Sequence, residues 1–146
     1  FDQEEIDKCE NIIKENFGKE PYGCLLFASR IEHLQGRWDY DHYLIKETKK
    51  YHNKPVFYFS EFDINKTEWG ECFPNSIDFS KLGLSLREQI YIKSRALFNI
   101  GYQAGITDVS SGQGTKTITL CPYNTIRENC VRGTKYVYKD GSVKQF

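Results

Sequence analysis

The chain has 146 residues, 27% charged and 39% hydrophobic, which is the balance of a single folded domain and excludes a disordered or low-complexity protein. Twenty basic and twenty acidic side chains cancel, which argues against a generic polyanion binder, and no apolar run nears the roughly 20 residues that cross a bilayer. Ten Tyr and ten Phe with no Met favour a substantial β component.

In chain order, Asp2 and Glu5 stand at the spacing of a capping box, and Ile6, Cys9, Ile13 and Phe17 follow at helical spacing until Gly18. The outer face of this predicted helix is acidic, and residues 1–20 hold seven acids and three bases. A connector with Pro21 follows. From Cys24 to Leu34 a helix and a buried strand both fit the apolar run, and the helix is the favoured reading, closed by Gly36. Trp38 to Ile45 alternates as a strand does, and Lys46 to Asn53 reads as a solvated turn. Pro55 to Asp63 is a strand with Phe57, Phe59, Glu61 and Asp63 on one side. Asn65 to Gly83 lacks a clean period and is expected to be a long loop, tied down by Cys72.

Ser85 and Glu88 form a second capping box. It opens a long helix that runs to Gly105, with Leu86, Ile90, Leu97, Ile100 and Ala104 on its apolar side. Thr107 to Ser111 and Thr115 to Tyr123 are strand candidates around a polar turn, Ser111 to Gly114. Thr134 to Tyr138 and Ser142 to Gln145 flank Asp140-Gly141, a strong hairpin signal. The expected fold is a single α+β domain over residues 1–146. N-terminal helices and a long central helix pack on a mainly antiparallel sheet that ends in a C-terminal hairpin.

Residues 113–146 hold six bases and two acids, so the tail is locally basic, and the plainest expectation is that the acidic first helix packs near it. Five cysteines, an odd number, and the glycosylation sequon Asn65-Lys66-Thr67 together favour a secreted protein over a cytoplasmic one. Cys121 and Cys130 are spaced to staple a loop.

For chemistry, a strand bearing His42 beside a strand bearing Glu61 and Asp63 brings an acid or base to carboxylates that tune it. Opposite a basic hairpin with Arg127, Arg132, Lys135 and Lys139, that set resembles what RNA cleavage without a metal requires. A thiol alternative has Cys24 at a helix start with His42 and Glu61 after it, although Leu25, Leu26 and Phe27 favour a buried, inert cysteine. Asp39, Asp41 and His42, or Glu61 and Asp63, are possible oxygen-rich metal ligands, but a solvated strand edge explains them as well. No CxxC or HExxH spacing occurs, and no metal or cofactor is expected. The expected function is therefore a secreted, monomeric effector or toxin that cleaves RNA. The competing expectation is a non-catalytic protein that docks on a host or partner protein through exposed Tyr and Trp.

Overall fold

The computed structural model describes residues 1–27, 41–60, 63–102, 116–121, 133–138 and 140–145. Helix α1 (Gln3–Phe17) leads into strand β1 (Gly23–Leu26), then α2 (Asp41–Glu47) and β2 (Val56–Phe59). Next come α3 (Glu68–Cys72), β3 (Ser76–Asp78), α4 (Leu86–Ser94) and β4 (Phe98–Tyr102), and finally β5 (Thr117–Cys121), β6 (Thr134–Tyr138) and β7 (Val143–Gln145).

The described strands form one seven-stranded sheet in the order β3-β2-β1-β4-β5-β6-β7. Every described pairing is parallel except the β6–β7 hairpin. The domain is mixed α and β as expected, but the expected mainly antiparallel sheet is overturned. The cause is visible in β1 and β4, which are buried along their whole lengths. A parallel strand covered on both faces reads as a short unbroken apolar run, which by period alone is indistinguishable from a piece of buried helix.

That ambiguity accounts for the other corrections. The long central helix from Ser85 to Gly105 is in fact α4, nine residues long, followed by β4 at the centre of the sheet. Leu86 and Leu97, placed on its apolar side by the helical wheel, are exposed, whereas Ile92 and Lys93 face inward. The start of the Cys24 segment is strand β1, not a helix. The strand expected to carry His42 is helix α2 from Asp41 onward. The long loop after Asn65 contains a 3₁₀ turn (Ile64–Lys66), α3 and β3. The two capping boxes, the strand at Val56–Phe59 and the hairpin at Asp140-Gly141 stand as expected. Gly36 and the expected strand at Thr107 to Ser111 lie outside the described residues, as do Cys130 and the turn at Ser111 to Gly114.

Two apolar layers flank the sheet. Leu25, Val56, Phe98 and Ile100 look toward α2 and α3, where Leu44, Trp69 and Phe73 meet them. On the other face Cys24, Leu26 and Phe57 meet Cys9, Ile13 and Phe17 of α1 and Ile92 of α4. The acids of α1 pair here with α4: Glu5 with Arg87 at 2.9 Å, Glu10 with Arg95 at 2.9 Å, and Lys8 with Glu88 at 3.0 Å. The Arg87 guanidinium holds the Glu5 carboxyl down to about 2. Among the described residues these charges of α1 are thus paired with α4 and its cap.

Two contacts set the centre of the sheet. A Cβ on Gly101 would sit 2.3 Å from the Leu26 carbonyl oxygen, and one on Gly23 would enter the ring of Phe98. Only residues without side chains fit there. Gly101→Ala is expected to destabilise the fold by about 2–3 kcal/mol, read from urea unfolding, because a backbone atom cannot move aside as a side chain can.

Lys93 is fully buried between Cys24 and the Phe79 ring, 5.7 Å from its centroid, and burial brings its ammonium down to about 8. A buried lysine with a lowered pKa costs stability at neutral pH, and that cost fades as pH rises from about 8 toward the ordinary 10.5. Lys93→Met is therefore expected to be the more stable protein at pH 7, by about 3 kcal/mol. The difference should shrink steadily in unfolding curves recorded between pH 8 and pH 10.

Candidate functional site

The chain winds outward from β1 through β2 to β3, then crosses back to place β4 on the other side of β1. The winding direction reverses between β1 and β4, and in open parallel sheets a crevice forms at the carboxyl ends of the strands at such a reversal. Here that end is built around Asp41, the first residue of α2, which is 5% exposed. Its Oδ2 accepts from the indole Nε1 of Trp69 at 3.1 Å and from the phenol of Tyr102 at 3.0 Å. Tyr102 closes β4, and Phe27 directly follows β1. The Phe27 ring lies 4.8 Å from that of Trp69 and 5.0 Å from that of Tyr102. One carboxylate thus ties α2 to α3 and to the end of β4, and Phe27 after β1 packs on both donor rings.

Above this plug lies a pocket of about 530 Å³. Helix α2 contributes Asp41, His42 and Ile45, and the segment after β2 contributes Asp63, Lys66, Thr67, Glu68 and Trp69. That segment is held by local bonds. Asp63 caps the 3₁₀ turn by accepting from the Asn65 amide at 3.0 Å. Thr67 caps α3 by accepting from the Trp69 amide at 3.2 Å, while its hydroxyl donates to the Ile64 carbonyl at 2.7 Å. Gly70 lets α3 rest on the turn, because a Cβ there would come within 2.7 Å of the Asn65 backbone. These caps and the close packing at Gly70 fix the backbone of the rim and the side chains of Asp63 and Thr67.

His42 and Asp63 therefore line one pocket, though His42 arrives from a helix. Glu61 lies outside the described residues, as do Arg127, Arg132 and Lys139. Lys135 is on β6 and meets Glu47, the last residue of α2, at 3.5 Å. The β6–β7 turn also touches α2, since a Cβ on Gly141 would come within 2.8 Å of the Tyr43 ring. The described part of the basic ribbon thus flanks the helix that carries His42, with Lys135 already engaged by an acid. Cys24 cannot serve as a nucleophile in this frame: it is fully buried in β1, and burial pushes its thiol up to about 12. Among the described residues no group of three His, Cys, Asp or Glu side chains is placed to hold a metal ion.

Sequence reasoning missed Lys66, Thr67, Glu68 and Trp69 because they fell within the supposed loop. The signals that find them are Asp63 and Thr67, two capping residues spaced for two short helical turns. It also read Asp41 as a possible ligand when its role is to anchor the pocket floor. In charge, the described lining residues hold the carboxyls of Asp41, Asp63 and Glu68 beside Lys66 and His42.

Comparison with protein-family models, with curated proteins and with solved structures finds no match for this chain, so the reading of the site rests on its own geometry.

Tyr102→Phe deletes one donor to a buried carboxyl while leaving the ring packed on Phe27. It is expected to cost about 2 kcal/mol in urea unfolding, the size of a hydrogen bond to a charged group. Asp41→Ala leaves two buried donors, Trp69 Nε1 and the Tyr102 hydroxyl, to find new partners, and is expected to cost more.

Proposed function

We propose that this pocket is the active site of a hydrolase working by proton transfer on ribonucleotide material, with His42 and Asp63 as the transferring groups and Glu61 as the third candidate. The observation that supports it is the meeting of His42 and Asp63 in one pocket of about 530 Å³ at the carboxyl end of a doubly wound sheet. A histidine with a carboxylate nearby supplies both an acid and a base near neutral pH. Ribonucleotide as the substrate class is argued by analogy of architecture, since crevices at this place in such sheets take nucleotides in many unrelated proteins. RNA itself remains a candidate within that class, supported by the position of β6 and β7 beside α2. A secreted effector or toxin is the proposed setting, supported by the exposed Asn65 of the sequon.

The competing proposal, docking on a partner protein through Tyr and Trp, draws less support. Trp69 is 1% exposed, and Tyr22, Tyr51, Tyr58, Tyr102, Tyr136 and Tyr138 are all buried. Those rings are spent on the core and offer no anchor to a partner.

Activity would be sought chromatographically on RNA homopolymers, ribonucleoside monophosphates and ribonucleosides. His42→Ala and Asp63→Asn are each expected to lower turnover by about 100-fold or more, the usual contribution of a positioned acid or base, with an unchanged circular-dichroism spectrum. Full activity in both variants would remove the site.

A further inference from the structure

We infer that the bond cleaved in this pocket is the N-glycosidic bond of a ribonucleoside and not a phosphodiester. This rests on the reading of the pocket as an acid/base active site and narrows its substrate.

The first argument is charge. Among the described lining residues Asp41, Asp63 and Glu68 are the acids, and Lys66 and His42 are the basic groups. A phosphate entering the pocket meets three carboxylates against one lysine among the described lining residues, and like charges repel. Phosphoryl chemistry also gathers negative charge in its transition state and calls for cations.

Glycosidic cleavage has the opposite demand. The sugar carbon becomes oxocarbenium-like and positive as the bond breaks, and carboxylates held nearby stabilise that charge. Asp63, held by the Asn65 amide at 3.0 Å, is in place before the charge develops, with Glu68 lining the same pocket. Size and polarity agree. A volume of about 530 Å³ lies in the range of small-ligand sites, and the half-buried Ile45 gives an apolar surface for a flat base.

The step balances with water alone as co-reactant. The oxygen of a water molecule bonds to C1′ of the ribose as the bond from C1′ to the base nitrogen breaks. Asp63 takes a proton from the water, and protonated His42 gives one to the departing base. The products are ribose and the free base, with no oxidation or reduction.

The test uses the four ribonucleosides, their 5′-monophosphates and the corresponding RNA homopolymers as matched probes, followed by chromatography of released base and of shortened chains. The expected result is release of free base from at least one nucleoside, with its 5′-monophosphate at least tenfold lower in kcat/KM. Asp63→Asn should lose about 100-fold on the nucleoside. Glu68→Gln, with native circular dichroism, should narrow the gap between nucleoside and monophosphate. Shortened RNA without free base would overturn this inference and leave the acid/base site standing. Equal cleavage of nucleoside and monophosphate would overturn the charge argument. No hydrolysis of any probe by the wild-type chain would overturn both readings together.

Discussion

The parallel pairing of β1 with β4 is the contact on which the rest of the molecule depends. Gly23 lies opposite Phe98 and Leu26 opposite Gly101, and at both pairs the missing side chain lets its neighbour through. Because both strands are buried along their lengths, each of their two faces requires its own layer of helices, and on β4 the face opposite Phe98 and Ile100 holds Asn99, whose amide donates to the Lys93 carbonyl at 3.3 Å. Helices α1 and α4 supply one layer, and α2 and α3 the other. The reversal of winding at this pair is also what opens a crevice over the strand ends, so the core and the pocket follow from the same adjacency.

The pocket is joined to that core by hydrogen bonds as well as by packing. Asp41 ties the start of α2 to Trp69 on α3 and to Tyr102 at the end of β4. A buried carboxylate between two aromatic donors is a more exacting connector than an apolar contact, since it is satisfied only when all three groups are placed together. His42, the next residue along, follows this anchored start of α2, and its exposed ring packs 4.0 Å from that of Tyr43.

What was legible in the sequence follows from how local each signal is. Asp2 with Glu5 and Ser85 with Glu88 each act across one helical turn, and both capping boxes stand in the structure. Asp140-Gly141 declares its hairpin in the same way, with Gly141 at φ 87°. Parallel pairing has no such local mark. The run at Cys24 is apolar on both faces because of strands far away in the chain, the run at Phe98 is too short to establish a period, and both were read as helix. The pocket was half legible: His42 and Asp63 were singled out by residue type, but the neighbours that give them a pocket come from Thr67 to Trp69, where two turns too short to show a period passed for a loop.

The order of the strands has a consequence for how the chain is made. As the polypeptide emerges, β1, β2 and β3 can assemble into a small ribbon, but β1 has no neighbour on its second side until β4 has been synthesised, with α4 between. During that interval a strand greasy on both faces presents a row of unsatisfied amides and carbonyls, which is a template for another nascent chain. The central pair of the sheet therefore closes only once Phe98 to Tyr102 has been made, and until then one edge of β1 stands bare.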